Sequence, residues 1–407
     1  MRKKTVSWIL VWTLLICCAV PVQAQTFLED GYVLYEPDAL PAAADSETPA
    51  DGLPVTVRAK AAVLMDQTSG EVLLEMHSHD KLYPASVTKI MALLLAAEAI
   101  DEGTLHPDDM VTTSTNASSK GGSQIWLKEG ETMSVRDLLK ATAVYSANDA
   151  CTALGEEIAG SSEAFVERMN ERAKALGMTD THFVNCTGLD DDTTEHLTSA
   201  YDVALMSREL LRHEWITQYT TIWMDSVRDG ATELVNTNKL VRFYEGTTGL
   251  KTGTTNKAGC CVSASAKRGQ THLIAVVMGS DNSTDRFEGA KTLLNWGFAN
   301  YETVTPQIDT SALTRVRVLR GVEESIVPQV PETLSVLIPK GRSEDVTQQI
   351  ELPLDVQAPV EKGQKLGTLT IRFGEKKLGE YDLTAPDGVA ALTVPIVFRR
   401  LIGVFAQ

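Results

Sequence analysis

The stretch Pro84-Ala85-Ser86-Val87-Thr88-Lys89-Ile90-Met91-Ala92-Leu93-Leu94-Leu95-Ala96-Ala97 reads as a proline-led turn opening a buried helix. Proline suits the first position of a helix, and the run from Val87 to Ala99 is mostly apolar with good helix formers. Ser86 falls at the N-terminal end and Lys89 one turn further in. Residues three apart share a helix face, so the lysine amine can reach the serine hydroxyl. A serine becomes a nucleophile at neutral pH only beside a base. A lysine is such a base only where its ammonium form is disfavoured, and burial together with the positive end of a helix dipole does this.

Ser-x-x-Lys alone is a weak signal, expected about once by chance in a chain of this length. A second copy, Ser78-His79-Asp80-Lys81, lies in a polar run just before Pro84 and reads as a solvated loop. Ser86 could also be a capping serine, with a lysine that snorkels to solvent. The rest of the chain has to decide between these readings.

The 407 residues suffice for more than one domain, and 43% apolar with 22% charged residues is ordinary for a globular protein. A net charge of −17 argues against a nucleic-acid partner. Residues 1–24 read as a secretory signal: Arg2, Lys3 and Lys4, an apolar stretch from Trp8 to Val20, then Val22-Gln23-Ala24. Removing these three basic side chains would leave −20. Ile16 stands before Cys17 where a lipid-anchored cysteine would need a small residue. Cys151, Cys186, Cys260 and Cys261 have no paired zinc spacing and read as buried thiols, with a disulfide left open. No His-Glu-x-x-His occurs, and no metal or cofactor is expected.

Residues 25–57, rich in Ala, Pro, Asp and Glu, read as a mobile spacer. Two apolar runs, Ala61–Met65 and Glu71–Glu75, flank a turn and read as a hairpin. After the Ser86 helix and a loop-rich 101–135, Val135–Tyr145 reads as an amphipathic helix opened by Ser134. Residues 149–158, 163–176 and 200–211 read as further helices, with an irregular loop at His182–Thr198. Gly249–Thr254 leads into an antiparallel pair, Cys260–Ala266 and Thr271–Met278, and Asp285–Phe298 closes this region as a helix. The expected fold is thus an α/β domain over 58–303, an antiparallel sheet flanked by helices. A small all-β domain follows over 304–387, marked by alternation in Thr314–Leu319 and short strands at 333–338, 346–352, 366–373 and 377–383. Gly388–Gln407 is apolar but broken by Pro395 and by Arg399-Arg400, which disfavours a spanning helix. As a helix from Pro395, it puts Val397, Phe398, Leu401, Ile402, Val404 and Phe405 on one face and both arginines on the other. Ile396 alone departs from this division, and the pattern is that of an amphipathic tail lying on a membrane surface, or of a helix packed against the β domain.

Two further motifs follow Ser86 and Lys89. They are Ser146-Ala147-Asn148, where a helix ends, and Lys251-Thr252-Gly253. Ser-x-x-Lys, Ser-x-Asn and Lys-Thr-Gly in this order are the signature of penicillin-binding proteins and serine β-lactamases. Ser114-Thr115-Asn116 and Ser280-Asp281-Asn282 also fit Ser-x-Asn, but the first lies in a Thr/Ser-rich loop and the second comes after Lys-Thr-Gly. Tyr145–Cys151, Cys186-Thr187-Gly188-Leu189-Asp190 and Asp285-Arg286-Phe287 extend the match. Over about residues 58–303 the chain resembles the D-alanyl-D-alanine carboxypeptidases, the low-molecular-mass penicillin-binding proteins. Many members also carry a β domain and an amphipathic tail at the C-terminus.

The resemblance implies that Ser86 attacks the D-Ala-D-Ala peptide bond of a peptidoglycan stem peptide, that Lys89 takes its proton, that Ser146 relays a proton to the leaving D-alanine, and that Asn148 holds substrate and lysine. Lys251, on a strand edge, would draw the terminal carboxylate, with Thr252 and Thr254 as hydroxyl donors and Gly253 allowing close approach. The oxyanion hole would be the N–H groups of Ser86 and Thr254, and β-lactams would acylate Ser86. The enzyme would work outside the cytoplasmic membrane, held to its outer face by the tail. A class A β-lactamase would need Glu-x-x-Leu-Asn before Lys-Thr-Gly, and the nearest stretch here is Glu195-His196-Leu197-Thr198. A Ser-x-x-Lys esterase would need Tyr-x-Asn at the second motif. A non-catalytic wall-binding or β-lactam-sensing protein is disfavoured by three intact motifs.

Overall fold

The computed structural model describes residues 53–331 and 333–405. The signal at 1–24 and most of the 25–57 spacer lie outside the described residues, as does the face assigned to the tail beyond Arg399.

The region before residue 300 is built on a five-stranded, wholly antiparallel sheet. Its strands are β1 (Ala61–Asp66), β2 (Val72–Met76), β3 (Thr247–Thr255), β4 (Gly259–Arg268) and β5 (Thr271–Ser280). Their spatial order is β2-β1-β5-β4-β3, which leaves β3 at one edge. Successive side chains of a strand point to opposite faces, and here both faces are covered. Val63, Met65, Ile274 and Val276 pack into the helical core on one side, while Leu64, Leu273, Ala275 and Val277 pack on the other. That second side is closed by Phe287, Ala290, Leu293, Leu294 and Phe298 from the long helix Ser283–Asn300.

Leu53 and Val57 are buried in this same cluster, so the expected mobile spacer is wrong at its last five residues. Their apolar side chains recur at alternate positions in a polar stretch, and burial against the sheet outweighs composition. On the opposite face, the Ser86 segment begins as a 3-10 turn, Ala85–Thr88, and continues as α1, Lys89–Asp101. α1 is apolar on every side and correspondingly central to the core. Around it pack α3 (Asn148–Ala159), α4 (Ser162–Ala175) and α5 (Ala200–Leu210), and α2 (Val135–Lys140) packs on α3. The hairpin Met224–Val227 with Thr232–Val235 was not anticipated; its signal is Asp229-Gly230 between two short β-like runs.

The C-terminal region is all-β. Tyr301–Val304 pairs with Val336–Pro339, so the expected boundary between 303 and 304 falls inside a strand. Val346–Glu351, Lys365–Phe373 and Lys376–Thr384 form an antiparallel sheet, and Val316–Leu319 pairs with Ser325–Ile326 and Asp355–Gln357. The alternation at 316–319 is realised, with Val316 and Val318 inside and Arg317 and Leu319 outside. Val389 is buried and bridges Val360, and Ala391 bridges Gly321. The tail therefore separates from the β domain after these residues, not at Gly388. It forms the helix Val394–Phe405, of which Val394, Val397 and Phe398 are exposed. No helix among the described residues is long and apolar enough to cross a membrane.

Candidate active site

Three parts of the chain meet beside the edge strand β3. The first is the Ser86 turn. Pro84 precedes the 3-10 turn and no side chain caps α1, so Ser86 is not the capping serine. Ser86 is half-buried, whereas Lys89 is 0% exposed and does not snorkel. The Lys89 Nζ donates to Ser86 Oγ at 2.9 Å, to Asn148 Oδ1 at 2.6 Å and to the Thr187 carbonyl at 2.8 Å. Burial is the main cause that lowers its pKa to about 8. The competing copy fails: Ser78 is 5% exposed and donates to Glu75 Oε2 at 2.7 Å, not to Lys81. The expected solvated loop is therefore incorrect at Ser78, which is tied down by the strand before it.

The second part is the end of α2. This helix is opened by Ser134, which accepts from the Asp137 N–H, and it widens into a single π turn, Ala141–Tyr145. Single π turns within α-helices recur at functional sites. The turn ends at Ser146, whose backbone is left-handed with φ of 65°. The Ser146 hydroxyl is buried and has no hydrogen-bond partner among the described residues. An unpaired buried hydroxyl costs on the order of 1–3 kcal/mol, which a substrate proton would offset. Asn148, the first residue of α3, spans the cleft: its Oδ1 accepts from Lys89 and its Nδ2 donates to the Gly121 carbonyl at 2.7 Å. The adjacent Asp149 carboxylate accepts from the N–H groups of Ile125 and Leu127, at 3.2 and 2.9 Å, which fastens that loop to α3. Of the other Ser-x-Asn copies, Ser114 and Asn282 cap helices.

The third part is β3. A Cβ on Gly253 would lie 2.8 Å from both the Pro84 carbonyl oxygen and the Ser86 nitrogen, so this backbone runs flush against the Ser86 turn. Lys251 is 1% exposed, with its Nζ donating to the Thr252 carbonyl at 2.9 Å. Burial, then repulsion from Lys89, holds its pKa well below the ordinary lysine value. Thr252 donates to Thr237 at 2.7 Å, and Thr254 is the exposed hydroxyl of the motif. Arg286 reaches up from the long helix, donating to the Thr254 hydroxyl at 2.8 Å and the Gly253 carbonyl at 3.0 Å.

The structure thus brings together Ser86, Lys89, Ser146, Asn148, Lys251, Thr252, Gly253 and Thr254. The sequence reading assigned no role to Thr187, Thr237 or Arg286. Thr187 and Arg286 both stood in quoted motifs, but Thr187 acts through a carbonyl, which no residue type reveals. Glu195 is exposed and makes no contact with this cluster among the described residues. All four cysteines of the described chain are free and buried.

Comparison with known proteins agrees with this geometry. Residues 45–282 match the family model described as D-alanyl-D-alanine carboxypeptidase, and residues 301–391 match the C-terminal domain of penicillin-binding protein 5. The chain is 40% identical over 349 residues to the D-alanyl-D-alanine carboxypeptidase DacF of Bacillus subtilis, covering 85% of this chain and 89% of that protein. It is 34% identical over 364 residues to DacC of Escherichia coli, covering 88% and 89%. Among solved structures, penicillin-binding protein 5 of Haemophilus influenzae superposes with a TM-score of 0.71 at 31% identity, over 83% of this chain and 99% of that one. Penicillin-binding protein D2 of Listeria monocytogenes, solved with ampicillin bound, gives 0.55 at 32% identity over 60% of this chain and 98% of that one. With the serine, its buried lysine and the edge strand in one cleft, and the match running through the β domain, the chain belongs to the D-alanyl-D-alanine carboxypeptidase family.

Proposed function

We propose that this protein removes the terminal D-alanine from peptidoglycan stem pentapeptides through an acyl-enzyme on Ser86. The observation that carries the reading is the threefold contact of the Lys89 amine. A neutral amine has two N–H groups and one lone pair. Asn148 Oδ1 and the Thr187 carbonyl can only accept, so they take both N–H groups. The lone pair is then left facing the Ser86 hydroxyl, which donates into it and is activated. Attack on the penultimate carbonyl places the oxyanion beside the N–H groups of Ser86 and Thr254. Ser146 relays a proton: its hydroxyl protonates the departing D-alanine amine and takes back, from the Lys89 ammonium, the proton that Ser86 gave up. Water then releases the shortened peptide, and β-lactams leave a long-lived acyl group on the same oxygen.

The substrate carboxylate is drawn to the edge strand by charge. Lys251 and Arg286 are both buried there, and no carboxylate figures among the charges that shift either of them. Burial disfavours the Lys251 ammonium in the free site, so Arg286 carries the standing charge; an arriving carboxylate favours the charged form of Lys251, and the exposed Thr254 hydroxyl makes the direct contact. Ser86→Ala should abolish both D-alanine release and fluorescent-penicillin labelling, while Ser78→Ala keeps both. Labelling of a folded Ser86→Ala protein would refute the assignment.

The chain is exported in this reading, and its C-terminal helix rests in the outer interface of the cytoplasmic membrane. The exposed Val394, Val397 and Phe398 support it. A protein ending at Thr393 keeps the buried Val389 and should be soluble and fully active on short peptides. Sedimentation of that protein with membranes after signal cleavage would count against the anchor.

A further inference from the structure

His196 is buried in the loop between α4 and α5, and nothing above gives it a role. Its hydrogen bonds have only one possible polarity. The Val184 N–H donates to Nδ1 at 3.0 Å, so Nδ1 is bare and the ring proton sits on Nε2. Nε2 faces Thr88 Oγ1 at 2.8 Å and must donate to it. The Thr88 hydroxyl then spends its own proton on the Ala85 carbonyl, also at 2.8 Å. Burial keeps this imidazole neutral, with its pKa lowered to about 4.

The end of this relay is the residue before the nucleophile. Ala85 has φ of 48°, a left-handed backbone that a non-glycine residue holds only when its surroundings impose it. Its carbonyl is hemmed in from the other side by Gly188, where a Cβ would lie 1.8 Å from the oxygen. The Ala85 C=O and the Ser86 N–H belong to one planar peptide and point in opposite directions. Whatever holds the carbonyl therefore also aims the N–H.

We propose that His196 is a positioning residue for the oxyanion hole: through Thr88 it locks the Ala85–Ser86 peptide plane, so that the Ser86 N–H points at the developing oxyanion. This rests on Ser86 being the acylated residue. The test measures acylation by a fluorescent penicillin, separating the acylation rate constant from the dissociation constant of the reversible encounter complex, in Thr88→Val, His196→Leu, the double variant and His196→Gln. Losing one oxyanion donor outright costs roughly 100-fold or more, so a misaimed donor should cost about tenfold or more. Thr88→Val and His196→Leu should each slow acylation by that factor with the encounter constant unchanged. The double variant should be no slower than the worse single variant, because both act through one path. His196→Gln, which offers an acceptor and a donor, should recover most of the rate. A purely structural histidine would change thermal stability and leave these rate constants alone. Thr88→Val is near-isosteric and folds even if His196→Leu does not. Wild-type acylation rate in Thr88→Val, or losses that multiply in the double variant, would overturn the proposal. Absence of acylation at Ser86 in the wild type would instead overturn the functional reading beneath it.

Discussion

Replacing Asn148 by aspartate tests whether Lys89 is the base and whether burial is what makes it one. Asn148 Oδ1 lies 2.6 Å from the Lys89 Nζ, and Asp is nearly the same shape. In the native site the amine's pKa is about 8, against 10.5 for a free lysine, so roughly one-tenth of the enzyme holds a neutral amine at pH 7. Acylation should therefore rise about tenfold per pH unit and level off above pH 8. A carboxylate in hydrogen-bond contact favours the ammonium and raises such a pKa by about 1–3 units, or roughly 1.4–4 kcal/mol. The neutral fraction at pH 7 should then fall by roughly 10- to 1000-fold, and acylation with it. The substitution also removes the Nδ2 donor to the Gly121 carbonyl, at 2.7 Å, and that loss is independent of pH. The two effects separate in a pH profile. The second-order acylation rate constant with a fluorescent penicillin, followed from pH 6 to 10.5, should show the rising limb moved up by at least one unit. Its plateau should be only modestly lowered. A limb left near pH 8 in a folded Asn148→Asp protein would refute Lys89 as the titrating base.

Gly253→Ala would place a methyl group 2.8 Å from the Ser86 nitrogen and the Pro84 carbonyl, both rigid backbone atoms, so the edge strand must move. Acylation should fall by roughly 100-fold or more, and an unchanged rate in the folded variant would reject the close approach of β3 to the nucleophile. Stability should also fall in acid. Burial lowers both His196 and His272 to about 4 from 6.5, so the unfolded chain binds more protons between these values. Each histidine then contributes about 3 kcal/mol at pH 7 that is lost as pH falls from 6.5 to 4. Asp66 and Asp202, raised by burial, act in the opposite sense and blunt the fall. Denaturant unfolding of His272→Gln should show a shallower decline over that window than wild type, and parallel curves would exclude the assignment.

Much of the site is local in sequence, and those parts were legible. Ser86 and Lys89 lie one turn apart, the apolar run behind them has helical composition, and Gly253 sits in a short motif that leads into two β-like runs. Period-2 alternation at 316–319 and helix signals such as Ser134 rest on backbone geometry that needs no distant partner. What sequence could not supply depends on contacts across the chain. Leu53 and Val57 become core because a sheet face and a helix more than 200 residues away cover them. Lys251 lies in a strand at the sheet's edge, yet the tertiary packing buries its amine and turns it onto the Thr252 carbonyl. The polarity of the Lys89 contacts is set by the Thr187 carbonyl, a backbone group common to every residue type. The left-handed Ala85, the Thr88 hydroxyl on its carbonyl and the histidine behind Thr88 meet only when the loop between α4 and α5 folds over the Ser86 turn, because hydrogen-bond direction is a property of atoms brought together in space.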